Sequence, residues 1–320
     1  MAENKETTSA NSFTSAMTLS QMGINSVPER YILPIPQRPN LNEKPPCSTK
    51  ALPVIDLSSL GNPFLRSRVI EEVHVACKEL GFFQVINHGI PISFTNEALD
   101  VAAEFFDMPN ETKMCLASSD VREPVRTKMG NYAKAVHELH KKLMEVVFES
   151  LGLRPDYLQE DIEHGSQVMA VNCYPACPEP NLALGLPPHS DYGSITILLQ
   201  NHQGLEIMDG NGKWQSVPVI KEALIVQLGD QMEVLSNGRY KSVVHRAILN
   251  SVKKRLSIAS LHSLAIDKKV IPAPELVDKQ HPLSYKEGSF GDFLHFLSDN
   301  DILEGRYIDT LKKNAEIEFM

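Results

Sequence analysis

Residues 189–191 read His-Ser-Asp, and residues 242–249 read Ser-Val-Val-His-Arg-Ala-Ile-Leu, an apolar run typical of a strand. On an extended chain, residues two positions apart point to the same side, so His189 and Asp191 can reach one ion together from a single strand. His245, inside the second run, can supply a third ligand. Two histidines and one carboxylate with open coordination positions suit Fe(II) outside haem. This stretch therefore predicts a metal site carried on strands.

Two further motifs strengthen this prediction. Alone, a His-x-Asp pair is weak support, because the chain has 11 histidines and most histidines in soluble proteins bind no metal. Arg255 and Ser257, however, place a permanent cation and a hydroxyl on one face of a strand. Asn172 and Tyr174 place an amide and a phenol on one face of another strand, which prolines then end. Because a guanidinium binds a carboxylate bidentately, the pattern indicates a carboxylate ligand.

In this order, the motifs resemble those of the plant 2-oxoglutarate/Fe(II)-dependent dioxygenases, the group that contains anthocyanidin synthase and flavanone 3-hydroxylase. Gly81-Phe-Phe-Gln-Val-Ile-Asn-His-Gly89 is similar to the amino-terminal signature of the family, and Asn172-Cys-Tyr174-Pro to its Asn-x-Tyr-Pro motif. The metal and co-substrate set is matched by His189-x-Asp191, His245 and Arg255-x-Ser257. The resemblance runs from about Leu52 to about Tyr307.

The resemblance implies a role for each of these side chains. The Fe(II) ligands would be His189, Asp191 and His245. The co-substrate 2-oxoglutarate would bind through its far carboxylate to Arg255, Ser257 and Tyr174, with Asn172 supporting the oxoacid end near the metal. O2 and a small plant metabolite, for example a phenolic or flavonoid-like compound, would be the other reactants, and ascorbate the reductant. The expected products are a hydroxylated or desaturated substrate, succinate and carbon dioxide.

Composition argues against several other classes of function. The 320 residues carry 31 basic and 40 acidic side chains, a net charge of −9, without a basic stripe, so neither nucleic acid nor an anionic membrane is an expected partner. Apolar runs are too short to span a bilayer, and the polar start lacks the order of a secretory signal, so a cytoplasmic protein is expected. Five cysteines without a Cys-x-x-Cys pair argue against a disulfide framework.

The sequence pattern divides the chain into four parts. Residues 1–50 are rich in polar residues and proline, which predicts a flexible segment. Residues 51–165 predict an α/β region, in which apolar residues over 128–151 trace one face of a long helix. Residues 166–282 are the expected catalytic core. Residues 283–320 predict a helical tail.

Short strands separated by turn residues characterise the expected core. They are predicted over residues 168–174, 194–200, 205–208, 214–219, 223–228, 243–249 and 256–264. Strands at this spacing indicate a sandwich or barrel. The resemblance implies a mainly β fold with flanking helices: a double-stranded β-helix, or jelly roll, with an N-terminal helical layer, a long backing helix and the metal at its mouth.

The chain departs from the family pattern at two places. Residues 121–126, Val-Arg-Glu-Pro-Val-Arg, run directly into Thr127, where relatives usually carry a further segment with a tryptophan-bearing strand that lines the substrate pocket. A catalytically impaired or silent isoform, which binds metal and 2-oxoglutarate but has lost part of its pocket, is therefore the alternative. Leu261 replaces an aromatic residue of flavonoid-handling relatives, and Ala170 a lysine of some, so other phenolics and hormones stay open as substrates.

Three other histidines invite a metal interpretation. His88 falls in the amino-terminal signature and is expected to be structural, because the ligand set is complete without it. His137 and His140 lie three residues apart on the predicted long helix, close enough to share a ligand. Without an acidic or cysteine partner in the sequence pattern, they are expected to be solvated or to cap the helix.

Overall fold

The computed structural model describes residues 15–41, 52–109, 111–113, 123–300 and 305–313, with residues 123–126 described by their backbone alone. The strands within these residues are β1 (Val54–Asp56), β2 (Phe82–Ile86), β3 (Ser166–Tyr174), β4 (Leu184–His189), β5 (Ile195–Gln200), β6 (Leu205–Met208), β7 (Trp214–Ser216), β8 (Leu224–Leu228), β9 (His245–Ile248) and β10 (Arg255–Ser263). The helices are α1 (Ala16–Gln21), α2 (Pro63–Glu79), α3 (Ile92–Asp107), α4 (Glu123–Ser150), α5 (Gln159–Glu163), α6 (Asp230–Leu235), α7 (Phe290–Asp299) and α8 (Tyr307–Leu311).

The strands form two sheets that face each other. The larger has the order β1-β2-β8-β5-β10-β3 and the smaller the order β4-β9-β6-β7. Apart from the parallel pair β1 and β2, all neighbours are antiparallel. Between the sheets lies a cluster of buried side chains: Phe82, Leu198, Leu205, Ile207, Val217 and Ile225. The predicted double-stranded β-helix is confirmed.

The helical layer covers the outer face of the larger sheet. The helix predicted over residues 128–151 is α4, which begins earlier, at Glu123, and ends at Ser150. Its buried face carries apolar side chains at helical spacing: Tyr132, Val136, Leu139, Leu143 and Val147. The helix runs without interruption through residues 126 and 127, the junction at which the family segment is predicted to be missing. It packs against α2, α3, β5 and β10, so it backs the sheet as predicted.

Strand β4 was not among the predicted strands, because Pro187 and Pro188 interrupt its pattern. It lies at the edge of the smaller sheet, pairing with β9 alone through two register shifts. Proline is tolerated at such an edge because no neighbour on the other side needs the missing N–H donor. The expectation that one strand carries two ligands is also wrong. His189 is the last residue of β4, whereas Asp191 lies in the loop that follows.

The described part of the N-terminal segment, residues 15–41, lies against the core. Helix α1 contacts β3, the Val27 amide donates to Glu179 Oε2 at 2.9 Å, and the Leu33 amide donates to Leu182 O at 2.9 Å. The remaining residues of the predicted flexible segment lie outside the described residues. Among the residues that the structure describes, no helix has the length and apolar character needed to cross a membrane.

Candidate metal centre

Three predicted ligands meet where β4 ends and β9 begins. Both His189 Nε2 and His245 Nε2 lie 3.6 Å from Asp191 Oδ1, and the two imidazole centroids are 4.2 Å apart. The three side chains are supplied by the end of β4, the following loop and β9. Strand pairing makes this convergence possible, because His189 and His245 are direct partners in the β4–β9 ladder. One ion can therefore contact one atom of each residue.

The two histidines are held with the same nitrogen facing the carboxylate. His189 Nδ1 lies 2.8 Å from Pro187 O, and His245 Nδ1 lies 3.3 Å from Val243 O. Because a carbonyl accepts only, each Nδ1 carries the proton and each Nε2 keeps a lone pair for a metal. Burial lowers the pKa of His245 to about 4, an effect that Asp191 opposes and His189 reinforces. The imidazole of His245 is therefore neutral near pH 7, as a metal ligand must be.

The two oxygens of Asp191 have different partners. Thr196 Oγ1 donates to Oδ2 at 2.5 Å, and Gln227 Nε2 donates to the same oxygen. Oδ1 is the atom that faces both imidazoles. Thr196 and Gln227 therefore fix the carboxylate so that Oδ1 points to the metal position. The sequence pattern did not identify these two residues, because they lie on β5 and β8 and only the sheet pairing brings them to Asp191.

We expect the substitution Gln227→Leu to weaken metal binding without removing a ligand. Loss of a buried partner of a ligating carboxylate typically lowers metal affinity by about 10- to 100-fold, and retention of the Thr196 bond favours the lower end. Titration of the purified protein with Fe(II) under anaerobic conditions measures this. Gln215→Leu is the matched control, since Gln215 Nε2 donates to Asp209 in a hairpin. Equal iron affinity in the parent and the Gln227→Leu protein would contradict the orienting role.

The four residues predicted to surround 2-oxoglutarate form two cross-strand pairs. Arg255 on β10 is directly opposite Tyr174 on β3, and Ser257 is opposite Asn172. Direct partners in an antiparallel ladder share a face of the sheet. Burial raises the pKa of Tyr174, an effect that Arg255 and a hydrogen bond with Ser257 oppose. Asn172 Nδ2 lies 3.4 Å from Ala170 O within its own strand.

The guanidinium of Arg255 is buried and held from two sides. Its Nη2 donates to Gln200 Oε1 at 2.9 Å, and its Nε donates to His202 O at 3.1 Å. Burial lowers its pKa from the ordinary value, which Tyr174 partly offsets. Since guanidinium has five N–H donors, more than these bonds use, it can also bind an anion. Glycine at position 204 is required for this placement, because a Cβ there would lie 2.6 Å from Arg255 Cδ.

The C-terminal tail contacts the loop that carries Asp191. Arg306 Nε donates to Ser190 Oγ at 2.9 Å, and Nη2 donates to Ser242 O at 3.0 Å. Next to Asp191 on the other side, the ring of Tyr192 stacks on Phe293 of α7, with centroids 4.6 Å apart. The tail therefore restrains the metal loop on both sides of its ligand. Sequence reasoning did not identify Arg306, which lies in no recognised motif.

The three other histidines singled out in the sequence lie in two different places. His88 Nε2 lies 3.1 Å from Glu222 O, and its Nδ1 accepts from the Ile90 amide at 3.1 Å, so it is structural as expected. His140 contradicts the expectation of solvated or capping histidines, because only 3% of it is exposed. It packs in parallel against His262, a residue that the helix pattern alone could not place beside it.

Comparisons with known proteins agree with this geometry. A family model described as the 2OG-Fe(II) oxygenase superfamily matches residues 165–263. A second model, described as the non-haem dioxygenase in morphine synthesis N-terminal region, matches residues 52–167. The chain is 41% identical to flavanone 3-dioxygenase 3 of Oryza sativa subsp. japonica, covering 88% of this chain and 98% of that protein.

Two other relatives extend the comparison. The 2-oxoglutarate-dependent dioxygenase 21, chloroplastic, of Oryza sativa subsp. japonica is also 41% identical, over 83% of this chain and 92% of that protein. Among solved structures, JOX2 in complex with 2OG, Fe and JA aligns with a TM-score of 0.79 at 30% identity, covering 89% of this chain and 94% of JOX2. The shared fold thus extends over most of both chains.

The alignment with a full-length relative is longer than the stretch of this chain that it covers. The alignment with flavanone 3-dioxygenase 3 has 322 positions, whereas 88% of 320 residues is about 282. About 40 aligned positions therefore have no counterpart in this chain.

Proposed function

The chain belongs to the 2OG-Fe(II) oxygenase superfamily, and on that basis we propose that it hydroxylates or desaturates a small plant metabolite. The observation that carries this proposal is the triad of His189, Asp191 and His245, whose three ligand atoms face one position. Its donor set fits Fe(II), since two imidazoles and one carboxylate on one side leave coordination positions for other ligands. When bound, Fe(II) with 2-oxoglutarate and O2 supplies the oxidising chemistry.

The residues of the chain would bind the ion and 2-oxoglutarate. His189, Asp191 and His245 would hold the ion, and Arg255 would bind the far carboxylate of 2-oxoglutarate through paired N–H donors. Ser257 and Tyr174 would add hydroxyl hydrogen bonds at that carboxylate. Asn172 would support the oxoacid end. The cross-strand pairing of these residues and the burial of Arg255 support this assignment. Ascorbate would keep the iron reduced.

For the substrate we propose a phenolic or flavonoid-like metabolite. In its favour, one relative is a flavanone 3-dioxygenase at 41% identity. Leu261 offers no aromatic ring for stacking, so the test panel must extend beyond flavonoids. It should include JA, which is present with 2OG and Fe in the JOX2 complex.

Succinate formation tests the proposed activity. We would incubate the purified 320-residue protein with Fe(II), 2-oxoglutarate, ascorbate and O2, with and without a panel of flavanones, simple phenolics and carboxylated hormones. Succinate that depends on iron, together with a substrate product heavier by one oxygen or lighter by two hydrogens, is the expected result. The absence of succinate under every condition would overturn the proposal.

The second candidate function is an impaired isoform that binds metal and 2-oxoglutarate but couples them poorly to a substrate. The roughly 40 aligned positions without a counterpart favour it, as does the continuous path of α4 through residues 126 and 127. The metal and arginine residues all lie after residue 171, downstream of that junction. Loss of a segment before α4 would therefore leave the metal and 2-oxoglutarate residues in place, while it would open the substrate pocket to water.

This candidate makes a distinct prediction about coupling. We expect slow succinate formation without substrate, and weak stimulation by the panel, because water and O2 reach the iron without the substrate in place. A chimera that carries the corresponding segment of flavanone 3-dioxygenase 3 at the junction should raise the ratio of substrate product to succinate toward one. Stoichiometric coupling in the 320-residue protein itself would exclude the impaired isoform and leave the first proposal standing.

A further inference from the structure

Three histidines converge between α4 and the outer face of the larger sheet. His137 and His140 lie on α4, and His262 lies on β10. One ligand nitrogen of each lies within 4.8 Å of the others. The rings of His140 and His262 are parallel with centroids 4.0 Å apart, and the ring of His137 is centred 5.9 Å from that of His262. This cluster is separate from the triad of the metal centre.

The hydrogen bonds of Ser194 determine which nitrogen of His140 carries the proton. Ser194 Oγ donates to His262 O at 3.0 Å, which uses its only proton. At 3.3 Å from His140 Nε2, the same oxygen can therefore only accept, so Nε2 carries the proton. His140 Nδ1 is then a bare lone pair, and it is buried with no hydrogen-bond partner. A buried acceptor without a partner is costly unless a ligand satisfies it.

The surroundings keep the two inner rings neutral. Burial lowers the pKa of His140 well below its ordinary value, and the neighbouring His262 and His137 lower it further. Burial also lowers the pKa of His262, to about 3. Ser260 Oγ lies 3.1 Å from His262 Nε2 and accepts from Gln167 Nε2 at 2.8 Å. Neutral imidazoles with outer hydrogen-bond partners are the form in which histidine binds metals.

We propose that His137, His140 and His262 form a second metal site, which takes a divalent ion with a preference for imidazole. Zn²⁺ is the reference ion, since three histidines with an open fourth position are a known zinc ligand set. Mg²⁺ and Ca²⁺ prefer oxygen ligands, which this set lacks. Binding requires one of the stacked rings to turn, because two parallel rings cannot both direct a lone pair at one ion.

The bound ion would connect α4 to β10. Elsewhere, both elements contribute buried apolar side chains to the same core cluster, among them Val136 and Ile258. Since the ion binds the folded chain in preference to the unfolded one, it would raise thermal stability, and the gain would grow with the logarithm of the free ion concentration once that exceeds the dissociation constant. The site would therefore act as a structural link between α4 and the outer face of the larger sheet.

Zinc stoichiometry tests the proposal. Apo protein is dialysed against micromolar Zn²⁺, and bound zinc is counted by mass spectrometry. We expect two ions in the parent, since the triad also accepts zinc, and one ion in the His245→Ala protein. In that His245→Ala background, addition of His137→Gln or of His140→Phe should remove the remaining ion. The same dialysis against Mg²⁺ should leave the cluster without an ion.

The variants are chosen so that loss of fold is distinguishable from loss of a ligand. His137 is partly exposed, and phenylalanine at 140 keeps a ring against His262, so native near-ultraviolet circular dichroism is expected in both. His295→Gln, an exposed histidine on α7, is the matched control and should keep both ions. In the His245→Ala protein, Co²⁺ should give visible absorption bands that His137→Gln abolishes. A single zinc in the parent, or an unchanged count in natively folded His137→Gln, would overturn the proposal.

Discussion

The His245→Ala protein is expected to lose iron binding and 2-oxoglutarate turnover together. His245 Nε2 is one of three atoms that face the metal position, and its Nδ1 is already held by Val243 O. Removal of an outer-shell partner lowers affinity by about 10- to 100-fold. Loss of a ligand itself should exceed that, so we expect turnover to fall by more than about 100-fold. Iron content and succinate formation measured on the same preparation check this.

The control for this substitution is another histidine. His281→Ala removes a half-exposed imidazole that pairs with Asp278. Neither residue belongs to a strand of the two sheets. It should keep the iron content and succinate rate of the parent. If the His245→Ala protein retained parental iron stoichiometry and turnover, the triad would be misassigned.

Replacement of Arg255 should act on 2-oxoglutarate and leave iron in place. Hydrogen bonds to charged groups contribute about 1.5–3 kcal/mol each. Removal of a bidentate pair by Arg255→Gln should therefore weaken 2-oxoglutarate binding by at least about 100-fold, since 1.4 kcal/mol is tenfold. Arg255→Lys keeps the charge but not the fork, so a smaller loss of about tenfold is expected. The Michaelis constant for 2-oxoglutarate and a direct binding titration measure both variants.

Lys254→Gln is the matched control, because it removes the same charge one residue away. Lys254 Nζ pairs with Asp107 at the protein surface. Its substitution should leave 2-oxoglutarate affinity unchanged. A parental affinity in Arg255→Gln would assign Arg255 to structure, through its bonds to Gln200 and His202 O.

The fold was predicted from two sources. Alternation of short strands and turns predicted a sandwich or barrel, and the family resemblance specified the double-stranded β-helix. His189 and Asp191 lie close enough in the chain for their joint role to be predicted from spacing. Strand β4 was not predicted, because prolines within a strand are tolerated only at the edge of a sheet. The sequence does not show which strand lies at an edge. The role of Gln227 depends on the pairing of β5 with β8. Local patterns carry no information about such pairing.

The histidine cluster illustrates the same limit. Helical spacing predicted that His137 and His140 lie close together on α4. The third member, His262, comes from β10 and meets them only because α4 packs on that strand. The same packing buries His140. The helix pattern alone therefore predicted wrongly that His140 is exposed to solvent.

Strand β10 has a consequence for protein engineering. Arg255 and Ser257 lie on one face of the strand, whereas Ser260 and His262 are buried on the other. Ala259 and Leu261 follow on the arginine face and are only partly buried. A redesign of substrate preference can therefore vary Leu261 in shape and size without replacing Arg255 and Ser257, which we propose to hold the co-substrate. Ala259 has less room for change, because it packs against the apolar cluster between the sheets.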